Sequence, residues 1–349
     1  MKKLLLTIAA LLPALLAHSQ EAESADNFAQ LSIISRLEAS PSFSTSGESH
    51  DFSFPGLLGE SSLYTVFEGD ISEHFSFLLC NHWLSTEPMS LYKDTFFYSN
   101  TTNWVDFLNF TYTVGFFSLT LGKDMIFTGG HENLPYDFDC HGKMLSSLWN
   151  NMPVYQWGAS AAFELPWEEN SIAVQMTTSP FGERSFASGL FVWSAKWDGR
   201  IGSWFRPLWS ISIFQNDAEN RSSIYPLVDI SQRLGSERFH VDLQYRNAVG
   251  GDGEEKPLLI KGHSALAAIE YSNKAENLEL FGRCNFEHCE LGNNWIAGAG
   301  VHYYPLRGSK DLRLHAMAAW NSYDNFLTAA VGLSCNLNFG FRRCGGRTR

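Results

Sequence analysis

From Leu333 to Phe341 the chain alternates without a break: Leu333, Cys335, Leu337, Phe339 and Phe341 share one parity, and Ser334, Asn336, Asn338 and Gly340 share the other. Strand side chains point to opposite faces in turn, so an extended chain here has one oily face and one small, polar face. Such a strand needs lipid or a core on one side and water on the other. The segment alone also fits a half-buried strand of a soluble sandwich.

The pattern recurs along the chain. Phe239, Val241, Leu243 and Tyr245 alternate with His240, Asp242, Gln244 and Arg246. Leu312, Leu314, Ala316, Ala318 and Trp320 alternate with Arg313, His315, Met317 and Ala319, and a similar run spans Tyr155 to Leu165. Period-2 segments of this kind predict strands over 28–39, 61–68, 73–84, 105–115, 117–123, 154–165, 171–177, 188–197, 202–214, 224–233, 238–246, 263–272, 277–287, 295–305, 310–320 and 326–341. Pro226 weakens the assignment at 224–233, because proline cannot donate to a ladder.

The connections sort into two kinds. Gly69–Ser72, Pro166–Asn170, Asp198–Ile201, Leu234–Glu237, Asn273–Glu276 and Leu306–Ser309 are tight and rich in turn formers. Between them lie Ser40–Glu60, Ser85–Trp104, Asp124–Pro153, Thr178–Ala187, Gln215–Ser223 and Asn247–Gly262. Alternation of short and long implies a barrel with one short-looped and one long-looped end, the arrangement of periplasmic turns and extracellular loops. An even strand count lets the sheet close, and lipid tolerates no open edge. The expected fold is therefore an all-β transmembrane antiparallel barrel of about sixteen strands, over residues 20–341.

Composition agrees. Aromatic residues make up 14 % and charged residues 18 %, against about 25 % charged in soluble domains. Lys2 and Lys3, the apolar run Leu4–Leu16 and Ala17-His18-Ser19 read as a secretory signal peptide over 1–19. Its removal would take the net charge from −12 to −14, which argues against a nucleic-acid partner. Residues 342–349 read as a short basic tail.

Leu121-Gly122-Lys123-Asp124-Met125-Ile126, Gly129-Gly130, Tyr136-Asp137-Phe138-Asp139, Trp149-Asn150-Asn151 and Tyr155-Gln156-Trp157-Gly158 resemble the outer-membrane porins related to the phosphate-selective O/P type. The hairpin from Tyr303-Tyr304-Pro305-Leu306 to Leu312-Arg313-Leu314-His315 is similar too. The resemblance covers about a third of the chain. It implies a sixteen-stranded barrel in outer-membrane lipid through which small hydrophilic solutes diffuse. It also implies a homotrimer, and a third long loop folded inward as a constriction.

The inferred inward register carries Arg36, Glu38, Lys196, His240, Asp242, Gln244, Arg246, Glu279, Arg283, Arg313 and His315, with Glu287 beside them. This mixture of signs departs from the lysine- and arginine-rich lumen on which phosphate selectivity rests in that family, so that selectivity is not carried over. The loop Asp124–Pro153 holds Asp124, His131, Glu132, Asp137, Asp139 and Lys143, residues that would set an electrostatic filter. The histidines have no spacing that converges on a metal ion, and no G-x-S-x-G, H-E-x-x-H or P-loop pattern occurs. The expectation is a channel without enzymatic activity, cofactor or metal. Cys140 and Cys289 fall in expected extracellular connections, whereas Cys284 and Cys335 fall in the lipid-facing register. The alternative is a non-conducting surface barrel whose long loops bind a partner.

Overall fold

Alternating segments of this kind become strands because each strand then satisfies its backbone on its neighbours while sorting its side chains between two faces. The protein, as a computed structural model, describes residues 27–44, 51–54, 61–83, 105–128, 130–132, 144–167, 169–182, 185–251, 257–323 and 325–342. Residues 1–19, expected to be a signal peptide, residues 343–349 and Asp137, Asp139, Cys140 and Lys143 lie outside them.

The strands are β1 (Asn27–Ala39), β2 (Ser42–Ser44), β3 (Asp51–Ser53), β4 (Ser62–Asp70), β5 (Phe75–His82), β6 (Val105–Val114), β7 (Phe117–Met125), β8 (Tyr155–Glu164) and β9 (Ser171–Thr178). There follow β10 (Phe191–Asp198), β11 (Phe205–Gln215), β12 (Ile224–Gly235), β13 (Phe239–Gly250), β14 (Leu259–Ser272), β15 (Leu278–Cys289), β16 (Gly292–Tyr303), β17 (Leu312–Asn321) and β18 (Phe326–Arg342). Each neighbour in the wall is antiparallel to the next, and β1 pairs with both β4 and β18, so the sheet closes as a sixteen-stranded barrel. The hairpin β2–β3 extends the wall beside β18 at the long-loop end. Every expected segment is a strand.

Pro226 sits inside β12, opposite Ile213 of β11. A bulge in β13 after Arg246 makes this possible, because the Asn247 side chain replaces the ladder there. Its amide donates to the Pro226 carbonyl at 2.9 Å and its oxygen accepts from the Val228 N–H at 2.8 Å.

One difference from the expected loop pattern lies near the C-terminus. The last two connections at the long-loop end are short, 290–291 and 322–325. Gly292, with φ of 120°, supplies the backbone that a two-residue hairpin between β15 and β16 requires.

The outer face is apolar. Val174, Met176, Trp209, Ile211, Ile230, Leu243, Ile269, Leu280 and Val331 are each 37–63 % exposed, forming a belt far larger than water tolerates on a soluble protein. Aromatic residues border it on both sides: Phe75, Phe163, Phe239, Tyr271, Tyr303 and Phe341 near the short turns, and Phe43, Phe52, Trp193, Trp295 and Trp320 near the long loops. A belt with two aromatic girdles matches a bilayer's hydrocarbon layer and its two interfaces. Cys284 and Cys335 belong to the outward parity and, like Cys80 and Cys289, are free thiols.

Candidate functional site

The inner face divides into two walls. On β6, β7 and β8 the inward positions are small and polar: Asn109, Thr111 and Thr113, then Ser118, Thr120 and Gly122, then Gly158, Ser160 and Ala162. Hydroxyls meet across the strands, Thr111 to Thr120 at 2.8 Å and Thr113 to Ser118 at 3.0 Å, and these four side chains remain half-buried or exposed. The opposite wall, β10 to β18 with β1, carries the charges.

The connection between β7 and β8 lies against this charged wall, on the face opposite the apolar belt. Its first residues are stitched to three strands in succession. Gln175 of β9 donates to the Met125 carbonyl at 2.9 Å and accepts from the Phe127 N–H at 3.1 Å, and Ser212 of β11 donates to the Phe127 carbonyl at 3.1 Å. Lys196 of β10 places its ammonium 4.8 Å from the Phe127 ring centroid. A single 3-10 turn, Gly130–Glu132, then rests on β12, with the His131 N–H donating to Ser231 Oγ at 3.1 Å. His131 Nε2–H donates to the Arg206 carbonyl at 2.9 Å, and burial pushes this imidazole below its usual pKa.

Glu132 anchors the loop. Its Oε2 accepts from Arg246 Nη1 at 2.7 Å, Arg246 Nε reaches Asp229 at 2.6 Å, and Gln244 donates to the same Asp229 oxygen at 2.7 Å. Glu132, Arg246 and Asp229 are each no more than 1 % exposed. Ser146 Oγ bridges Glu132 and Arg246 while capping the short helix α1 (Ser147–Asn151), and Ser147 donates to Glu287 of β15 through both N–H and Oγ at 2.8 Å. A Cβ at Gly250 would sit 2.4 Å from Leu148 Cα, so glycine is what lets α1 lie on β13.

Apolar side chains seal the contact. Ile126, Leu145, Leu148, Trp149 and Met152 of the loop pack on Val192, Phe214, Leu227, Ala248 and Leu259 at the long-loop end of the wall. Met144 packs on Phe281, Met317, Ala319 and Ala330. A third cluster, Tyr64, Val66, Cys80 and Phe107, lies on the inner face of β4, β5 and β6 and meets the first through Met125 and Tyr155. The long-loop half of the lumen is thus packed like a protein interior. Gly298 is one of its tight points, since a Cβ there would lie 2.6 Å from Met144 Sδ and from the Ala318 carbonyl. Gly298→Leu is expected to unseat Met144 without touching the outer face, which increased protease cleavage between residues 133 and 143 in the folded barrel would reveal.

The expected site residues fall as follows. Arg36 and Glu38 pair with each other, and Glu38 also accepts from His315 Nε2 at 3.0 Å and Ser40 Oγ at 2.6 Å. Glu279 accepts from Lys310 at 2.6 Å and Tyr304 at 2.7 Å, with His302 at 3.4 Å. Arg233 holds Asp242 through two bonds of 2.7 and 2.8 Å near the short-turn end, and His240 lies 3.6 Å from Glu270. Arg283 and Arg313 are half-buried on the inward parity. Asp124 is the penultimate residue of β7 rather than a member of the loop, and its carboxylate accepts its neighbour's N–H. Arg246, Glu132, Arg36, Glu38 and His315 all point inward, yet each is no more than 4 % exposed. Their bonds are made inside the packed interior. Asp229, Ser146, Gln175 and the inward apolar set were not singled out from the sequence. The alternation around Pro226 was the available signal for Asp229.

No family model and no curated protein matches the chain. Its fold does match solved outer-membrane barrels. A mutant of Rh. blastica porin aligns with a TM-score of 0.57 and 11 % identity, covering 88 % of this chain and 99 % of that one. The anion-selective porin from Comamonas acidovorans gives 0.55 and 8 %, and the trimer form of OmpT, an outer membrane protein of Vibrio cholerae, gives 0.52 and 10 %, each over 88 % of this chain and 99 % of the other. At such identities the likeness lies in the fold, which here is the sixteen-stranded outer-membrane barrel.

Proposed function

We propose that this chain is an outer-membrane porin, a passive channel for small hydrophilic solutes or ions, whose lumen is narrowed by the connection between β7 and β8. The observation that carries the reading is the hydroxyl wall of β6 to β8. Inward Ser and Thr side chains that stay half-buried or exposed are what a water-filled lumen requires, while a fully packed interior would favour apolar groups there. Charges on the opposite wall would tune ion preference. Fold likeness to porins and the O/P-type motifs around Leu121–Ile126 and Tyr155–Gly158 support it. On the same likeness we read the assembly as a homotrimer embedded in outer-membrane lipid.

One observation favours the second reading, a non-conducting surface barrel: the apolar clusters that pack the long-loop half of the lumen. Swelling of liposomes containing the purified protein, in iso-osmotic glycerol, glucose and sucrose, separates the two. A porin gives swelling rates that fall with solute size. A folded barrel that gives no swelling with any of the three supports the surface-binding alternative.

A further inference from the structure

A cavity of about 290 Å³ opens at the long-loop end, between α1 and the ends of β13 and β15 to β17. Its volume falls just below the roughly 300–1,000 Å³ of drug-sized ligand pockets, so it suits a compact ligand. Five asparagines line it: Asn150 and Asn151 from α1, Asn293 and Asn294 from β16, and Asn321 from β17.

Much of their hydrogen-bonding capacity is unspent. Asn150 donates to the Leu145 carbonyl at 3.2 Å, which leaves its oxygen free to accept. Asn321 uses its oxygen on the Tyr323 N–H at 3.0 Å, which leaves its amide NH₂ group as a donor, whereas Asn293 lies on the outward parity of β16 with its side chain on His288 at 2.6 Å. Asn151 makes no side-chain bond among the described residues. Donors and acceptors are therefore interleaved around one small space. Planar amides of this kind can meet paired hydroxyls, each of which also donates and accepts.

Glu287 gives the pocket its charge. It is 2 % exposed, and no lysine or arginine pairs with it among the described residues. One carboxylate oxygen is saturated by Ser147 N–H, Ser147 Oγ and Asn285, whereas the other has only the Asn294 amide at 3.4 Å. A buried carboxylate oxygen with spare capacity calls for a strong O–H donor and repels anions. Tyr323, 60 % exposed at the rim, offers an aromatic face.

We propose that this pocket binds a neutral saccharide from the long-loop side, its hydroxyls on the asparagines and Glu287 and one sugar face on Tyr323. Binding at this position does not require the barrel to conduct, so it is measured on the full chain in detergent, apart from any permeation. Calorimetric titration with glucose, galactose and N-acetylglucosamine is expected to show saturable binding of at least one, with glucose 6-phosphate at least tenfold weaker. Asn321→Ala and Tyr323→Ala, both at the mouth, are expected to weaken it at least tenfold, and Asn220→Ala, in the connection 216–223, to leave it unchanged. The free thiol of Cys289 lines the same pocket, so bound sugar slows its alkylation, read by mass spectrometry on its own peptide. No saturable binding by any of the three sugars, equal binding by the variants, or tighter binding of the phosphate would overturn the proposal.

Discussion

Arg246→Met is expected to destabilise the folded barrel by about 3–5 kcal/mol, the range seen when one partner of a buried ion pair is removed, and to raise the conductance of the channel several-fold. Arg246 is the only cation bonded to both Glu132 and Asp229 among the described residues, and both carboxylates are shut from water. Methionine keeps an unbranched apolar stem and removes the charge. Two buried carboxylates are then left facing each other, and moving Glu132 off the wall into water relieves the conflict. Glu132 is the loop's central anchor, so its release frees the segment from the lumen wall. The triple variant Arg246→Met, Glu132→Gln, Asp229→Asn is expected to recover most of the stability, because removing a whole buried charge cluster costs far less than removing one member. Thermal unfolding followed by gel mobility reads the stability, and planar-bilayer recording reads the loop. Lost stability with unchanged conductance would show that the apolar contacts hold the loop without the ion pair.

The second large effect lies on the opposite face. Ile211, near the middle of β11 and 47 % exposed, points away from the lumen into the apolar belt. Ile211→Arg is expected to cost about 2–4 kcal/mol in refolding into lipid bilayers, as charged residues do at the bilayer midplane. In a soluble barrel the same change would be a surface substitution within about 0.5 kcal/mol. Urea titration of the variant and the parent in lipid vesicles distinguishes them. Equal midpoints would remove the lipid-facing assignment of the belt.

Strand positions were legible because each strand must present one face to lipid, which enforces a period of 2 over about ten residues. Pro226 looked like a break for good reason. It was accommodated by Asn247, whose side chain supplies the missing bonds from the next strand, a compensation that no local reading of β12 contains. The inward parity of Arg36, Asp242, Arg246 and His315 was equally legible. The burial of Arg246 was not, because it depends on Glu132, 114 residues away in the β7–β8 connection, and that of His315 depends on Glu38 of β1, 277 residues away. Inward apolar residues such as Tyr64, Val66 and Phe107 were hidden for a different reason. In a barrel, an apolar side chain on the inner parity carries the same signature as a lipid-facing one, and only the packed loop and its neighbours tell them apart.

Single-channel recording of the purified full chain in planar bilayers tests the central claim most directly. A water-filled lumen narrowed by the β7–β8 connection gives stable, stepwise openings, with a reversal potential under a salt gradient whose sign reports which wall charges dominate. A protein shown by circular dichroism to be folded and β-rich, yet silent under these conditions, would contradict the account.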